Sequence, residues 1–387
     1  MKFRRDAPSM LIAAAVVVLL MTAVVSNRLF SGLTESVENS QFDTMEAILK
    51  FNLQGAESKA LARAELIAGL PATSRIFASG DRAALLAEYQ AMFDEQHEKH
   101  GVAQMQFHRA PATSFLRLHA PASHGDELSG FRPMVVSTNQ DQVARTGMEI
   151  AFNGPALFGI AAVFDAQGTS IGSFEVGISF GPLVDNLKVA YDLEFAMFIE
   201  EALLDPAGVP SEVFGDQNRL GKYVKYHSTH WDLLQQLVGA ADLARLEEPV
   251  RYTRSTVDVP YGVLLVPLRS STGVQVGVMV VVKNFDASRA AAGRSLVWQA
   301  LLALFGIVTL AGAAQVVVRG FLVRPLAVIS DRFASLGSGE PARPIEEADM
   351  LCDELQQLVA QHQRLRGLVE PEPHAAAPGP DAKDGPS

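Results

Sequence analysis

Between Phe107 and Arg132 the chain gathers His108, Arg109, Ser114, Arg117, His119, His124, Asp126, Glu127 and Arg132 among aromatic and turn-forming residues. Several chemistries use those residue types. Ser114, His119 and Asp126 are the set for acyl transfer, but they share one short segment with no nucleophile elbow and no oxyanion-hole motif. No enzyme is expected. His108, His119 and His124 are of the type that ligates metal or haem, yet neither an HExxH helix nor a CxxCH attachment is present. Neither a metal nor a cofactor is expected. An arginine fork suits a carboxylate or phosphate ligand. The competing arrangement is an internal ion pair, Arg117 or Arg132 with Asp126, Glu149 or Glu175, and the residues alone leave both open.

Alternation sets which of these side chains act together. Ala103, Met105 and Phe107 alternate with Gln104, Gln106 and His108, as in a half-buried strand. Leu116 and Leu118 alternate with Phe115, Arg117 and His119, which places the last three on one strand face. Met148, Ile150 and Phe152 alternate with Glu149 and Ala151, and Phe174, Val176 and Ile178 with Ser173 and Glu175. LFGIAAVF, Leu157 to Phe164, is apolar on both faces and reads as an interior strand, joined to the next by a hairpin at Asp165-Ala-Gln-Gly168.

The chain has 387 residues, a formal charge of −11 and 48% hydrophobic residues, enough apolar material for one large domain or two to three small ones. The acidic balance offers no basic stripe to displace counterions from phosphates, so no nucleic acid is expected as partner. The single cysteine, Cys352, excludes a disulfide framework and a thiolate metal cluster, and reads as a small buried hydrophobe.

Two uncharged runs frame the strands. Residues 9–25 follow a basic N-terminus (residues 1–8) and are long enough to span about 30 Å of hydrocarbon; the alternative, a cleaved signal peptide, would have an unusually long apolar core and lacks an A-x-A-like site. Residues 296–318 form the second run, followed by Arg319 and Arg324. The positive-inside tendency then puts both termini in the cytoplasm and residues 26–295 outside it. A stalk helix is expected over residues 28–68, about 60 Å at ~1.5 Å per residue, ended by Gly69-Leu-Pro71. A shorter helix follows, with Leu85, Leu86, Tyr89 and Phe93 on one face.

An internal repeat organises the outer region. Gly168, Gly172 and Phe180 in GTSIGSFEVGISF match Gly273, Gly277 and Phe285 in GVQVGVMVVVKNF at the same spacing. Two α+β modules in tandem are expected, over residues 69–190 and 191–290, the second with YDLEFAMFIE as a strand and Trp231 to Leu246 as its helix. Beyond the second apolar run, Pro325 stands just inside a helix start. Leu326, Ile329, Phe333 and Leu336, then Leu351, Leu355, Leu358, His362 and Leu365, step as two short heptad helices joined by GSGEPARPI. Such seams need a partner helix to cover them, which predicts a homodimer. The Pro/Ala/Gly-rich residues 367–387 read as a disordered tail. No catalytic domain is expected after Arg366.

FHRAPATSFLRLHAPASHGDELSGFR, then GMEIAFNGPALFGIAAVF, then IGSFEVGISF resembles the double-Cache sensor domain (dCache type 3) found outside the membrane in bacterial chemoreceptors and sensor kinases; residues 319–366 resemble a HAMP signal-relay module. The resemblance implies an α+β fold, two PAS-like modules hung on a long N-terminal helix and flanked by two transmembrane helices, with a small-molecule ligand held by the membrane-distal module. It implies that His108, Ser114, Arg117, His119, Asp126, Arg132, Glu149 and Glu175 belong to the signature, some lining a pocket and others bracing a loop. Where the family usually carries an arginine, in a pattern like RGIVPVF, this chain has Phe158, so a changed specificity or a lost ligand is implied. The expected function is a receptor in the bacterial inner membrane that signals to a separate cytoplasmic partner; the alternative is a receptor remnant or structural membrane protein without ligand.

Overall fold

A computed structural model of the chain describes residues 3–152, 154–204, 209, 215–244, 246–257, 259–338 and 353–369. It divides into two compact units, Leu33–Ala291 and, separately, Met1–Gly32 with Ala292–Ser387.

The first long element is α1, Phe3–Ala68, one uninterrupted helix. The expected division between an apolar run at 9–25 and a stalk at 28–68 is therefore not a break in the backbone: nothing in Ser26-Asn27-Arg28 removes a donor or needs a left-handed residue. The side chains of residues 1–16 lie outside the described residues. Helix α1 ends before Gly69, and Pro71 opens α2, Pro71–Ser79, where its missing N–H is harmless. Helix α3, Arg82–His100, begins on Asp81, whose side chain accepts from Ala84 N, and ends on left-handed Gly101.

The first sheet holds β1 Val102–Arg109, β2 Thr113–Arg117, β3 Arg145–Ala151, β4 Gly154–Phe164 and β5 Ser170–Ser179 in the order β2-β1-β5-β4-β3. Phe107, Leu116, Phe174 and Val176 point to one side and join Phe42, Met45, Leu49, Leu85, Tyr89 and Phe93 of α1 and α3 in the main core. Burying each such side chain contributes about 1.5–3 kcal/mol. The opposite side is covered by α4, Pro133–Asp141, through Met134 and Val135. Strict alternation fails in β2. The register shifts between Phe107, opposite Leu116, and His108, opposite Ser114, so Phe115 is the extra residue of a bulge. Its ring turns to Phe77, at 5.1 Å. Phe115, Arg117 and His119 therefore do not share a face.

Helix α5, Phe180–Tyr191, leads to the second sheet: β6 Glu194–Glu200, β7 Arg219–Leu220, β8 Tyr223–Ser228, β9 Val250–Thr256, β10 Val259–Arg269 and β11 Gln275–Asn284, ordered β7-β8-β6-β11-β10-β9. Without the two-residue β7 this is the first sheet's order again. The repeat read in the sequence matches this in detail. Gly168 and Gly273 both have φ 82. A Cβ at Gly172 would lie 2.1 Å from His108 O, and one at Gly277 2.2 Å from Phe198 O. Phe180 and Phe285 are both buried. The single helix expected over Trp231 to Leu246 is two, α6 Trp231–Leu237 and α7 Ala240–Leu243. Gly239 separates them, its N–H taken by the Asp242 carboxylate at 2.8 Å. Where α8, Asp286–Val317, leaves this unit, Phe285 meets Phe42 edge-on at 5.3 Å and Arg289 donates to Glu38 at 2.6 Å.

In the other unit the helix continues past α8 through a π-helical turn, Val318–Val323, into α9, Arg324–Ser338. Pro325, expected just inside a helix start, is the second residue of α9, which follows directly on the π-helical turn. Within this run Val297–Ser335 is long and apolar enough to cross a membrane, the one such helix among the described residues. Helix α10, Asp353–Val369, packs on α9. His362 is buried there, its Nε2 3.3 Å from Arg332 O and its ring edge-on to Phe333. Ile329 and Val359 are buried with it, whereas Leu326, Leu358 and Leu365 are 37%, 38% and 47% exposed. The connector from 339 to 352, with Leu351 and Cys352, and the tail from 370 lie outside the described residues.

Candidate ligand-binding site

The face of the first sheet under α4 is polar at its centre. Gln106 lies opposite Arg117 and Glu175, and His108 opposite Ser114 and Ser173, so period-two alternation in β1 and β5, together with the bulge in β2, turns all these side chains to one side. All are at most 2% exposed. Arg132 reaches the same face as α4 begins. Its Nε donates to Glu149 Oε2 at 2.9 Å, and its Nη1 and Nη2 donate to Glu175 Oε1 and Oε2 at 3.2 and 2.5 Å. Glu149 Oε1 accepts from Met134 N at 2.9 Å and from Ser271 Oγ at 3.0 Å. The Arg132 guanidinium lies 4.4 Å from the centre of the Phe158 ring.

Electrostatics holds the Arg132–Glu175 pair ionised. Burial alone would lower the pKa of Arg132, but Glu175 and Glu149 outweigh it and raise it. Burial alone would raise that of Glu175, and Arg132 and His108 outweigh it, holding the carboxyl at about 2. Arg117 is paired separately, its Nη atoms donating to Asp126 Oδ1 and Oδ2 at 2.8 and 2.5 Å and to Ser123 O, and its hydrogen bonds hold the Asp126 carboxyl below the usual range. This pair clamps the loop after β2 to the strand. Both guanidinium forks are thus filled by protein carboxylates, the ion-paired arrangement that the sequence left open.

Hydrogen-bonding capacity remains. Ser173 Oγ and Arg117 Nε are buried without a partner, as is His119 Nε2. His108 Nε2 lies 3.3 Å from Glu175 Oε2 without the alignment of a hydrogen bond. Gln106 donates to Ser114 Oγ at 2.8 Å.

Residues 38–221 match the dCache type 3 family, described as a double sensory domain of two-component sensor kinase. The chain carries a double-Cache sensor domain. Comparison with curated proteins returns no match. Among solved structures, the sensor domain of the histidine kinase DctB of V. cholerae is 10% identical with a TM-score of 0.38, over 66% of this chain and 98% of that one. A chemoreceptor sensory domain of Campylobacter jejuni with isoleucine bound is 12% identical with a TM-score of 0.38, over 66% of this chain and 96% of that one. An extracellular ligand binding receptor from Desulfohalobium retbaense is 12% identical with a TM-score of 0.37; this chain covers 40% of its length and aligns over 62% of its own.

Of the signature residues, the sensor domain brings His108, Ser114, Arg117, Arg132, Glu149 and Glu175 to one sheet face, with Phe158 beside them. Asp126 sits at its rim on Arg117. His119 stands apart: it lies beyond the end of β2, 3.3 Å from Met105 O and 6.4 Å from the Phe93 ring. Burial pushes its imidazole down to about 4. Gln106, Ser173 and Ser271 belong to the site and were not singled out from sequence. The first two share a strand face with His108 and Glu175, so alternation alone could have found them; Ser271 comes from the second module and carries no local signal.

Proposed function

We propose that the chain is a membrane-anchored receptor whose sensor domain binds a small solute outside the cytoplasm, on the α4-covered face of the first sheet. The observation that carries this is a buried polar centre left with unused hydrogen-bonding atoms, Ser173 Oγ, Arg117 Nε and the misaligned His108 Nε2. Native interiors rarely leave such atoms unpaired. Because protein carboxylates already fill both arginine forks, the site suits an amine-bearing or neutral hydrogen-bonding solute better than a carboxylate. Residues 9–25 and 296–318 are the proposed membrane spans, placing the sensor domain outside the inner membrane. Residues 319–366 are the proposed HAMP-like relay, acting as a homodimer on a separate cytoplasmic partner. The exposed Leu326, Leu358 and Leu365 supply the seam for a second copy. Binding shifts the receptor only if the ligand prefers one arrangement.

A second reading, a receptor-derived structural protein without ligand, draws on the pairing of Arg117 and Arg132 within the protein. A thermal-shift screen of the full chain in detergent against amines, amino acids, carboxylates and purines separates the two. A ligand at a hundred times its Kd adds about 2.7 kcal/mol. A hit lost in His108→Gln and kept in Lys188→Ala supports the proposed site, hits confined to carboxylates overturn the class assigned, and no hit across the panel favours the second reading.

A further inference from the structure

The two modules differ at one turn. The β4–β5 connection, Asp165-Ala166-Gln167-Gly168, is closed by its own Asp165 side chain, which accepts from Gln167 N and Thr169 N. The repeat-equivalent β10–β11 connection, Ser270-Ser271-Thr272-Gly273, is instead docked on the first module. Ser271 N donates to Met148 O at 3.1 Å, and Ser271 Oγ donates to Glu149 Oε1 at 3.0 Å. The seat is cut for it: a Cβ at Gly147 would lie 3.1 Å from Ser271 Cβ. The residue standing at this place in the first module's turn is Ala166, which carries no hydroxyl.

Glu149 therefore has three partners from three places. Its Oε2 takes Arg132, its Oε1 takes the backbone N–H of Met134 in the first turn of α4, and the same Oε1 takes the second module's Ser271. The carboxylate is 3% exposed, so losing any partner leaves a buried charge less satisfied and shifts its hold on the others. We infer that Ser271 is a positioning residue of the candidate site, contributed by the second module. Through Glu149 it sets how firmly α4 covers the site, and any movement of α4 or Arg132 is felt at the β10–β11 turn. Coupling of this kind is reciprocal. The inference rests on the reading of this face as the ligand site, but the contact itself is measurable without a ligand.

Hydrogen–deuterium exchange of the full chain in detergent tests it. Ser271→Ala installs the residue already tolerated in the equivalent turn, so the fold is expected to hold. Exchange at residues 134–138 then rises by about tenfold or more, the effect of losing a hydrogen bond to a charged group, while β6 and β11 are unchanged. Ser270→Ala, whose hydroxyl meets Thr272 Oγ1, leaves α4 as it was. In the opposite direction, Glu149→Gln speeds exchange over residues 271–274. Unchanged α4 protection in Ser271→Ala, an equal effect of Ser270→Ala, or a uniform rise over the whole domain overturns the inference. Failure of the thermal-shift screen touches none of these outcomes, so the ligand reading and the coupling fall separately.

Discussion

Arg132 and Glu175 face each other through two parallel hydrogen bonds, 3.2 and 2.5 Å long, with both side chains at most 2% exposed. One comes from the start of α4 and the other from the centre of the first sheet, so the pair ties the cover to the floor. A buried pair stabilises little compared with apolar residues of the same volume, yet removing one partner strands the other. Glu175→Gln is expected to cost about 3–5 kcal/mol, read from urea unfolding followed by far-UV circular dichroism. A loss under about 1 kcal/mol would mean that the pair behaves as if solvated.

Acid is expected to act in two stages. His119 is depressed from 6.5 to about 4, so between those values the unfolded chain binds the proton more readily than the folded one. Stability is fully present above pH 6.5 and declines as pH falls toward 4, by on the order of 3 kcal/mol. Glu175 is depressed from 4.5 to about 2; its contribution is present above 4.5 and is lost as pH falls from there toward 2. His119→Gln should abolish the upper stage and leave the lower. An unfolding midpoint that stays flat from pH 7 to 4.5 in the parent chain contradicts the assignment to His119.

Ser173 gives the opposite sign from most core changes. Its hydroxyl is buried and unpaired, so Ser173→Ala removes an unmet demand and is expected to stabilise the ligand-free chain by roughly 1 kcal/mol. The same change should abolish the stabilisation given by a screening hit. Destabilisation of the ligand-free protein would show that the hydroxyl already has a partner, such as a bound water.

The repeat predicts matched sensitivities. Gly172→Ala and Gly277→Ala each drive a Cβ into a carbonyl oxygen of the neighbouring strand, 2.1 and 2.2 Å away, and each is expected to lower stability by several kcal/mol or prevent folding. Gly130→Ala, with open space around it, should be within about 0.5 kcal/mol of the parent. Unequal behaviour of the two repeat positions, one tolerated and one not, would break the equivalence.

Period-two alternation made four strands legible and an unbroken apolar run a fifth, because burial on one or both faces leaves a pattern in the residues themselves. It failed at Phe115, where a bulge inserts one residue and no composition signal marks it. The end of α1 was readable from Gly69 and Pro71, since both act through local backbone chemistry. Helix α4 was not: PMVVSTNQD is short, and the partners of Arg132 and Met134 N at its start, Glu149 and Glu175, come from strands later in the chain. The ionic partners of Arg117 and Arg132 could be named as candidates from charge alone, but which carboxylate meets which guanidinium depends on where the loop after β2 and the start of α4 lie on the sheet, Asp126 on Arg117 and Arg132 on Glu149 and Glu175.

Phe42 and Phe285, with Glu38 and Arg289 one turn nearer the chain's ends, fasten the two helices by which the sensor domain is entered and left. A sliding of one helix past the other by a single turn, about 5.4 Å, would draw the Phe285 ring off Phe42 and expose both. Tilting or rotating the two together disturbs neither contact. A swing or a twist of the clamped pair keeps both contacts, whereas a piston stroke of one helix alone must first undo the clamp.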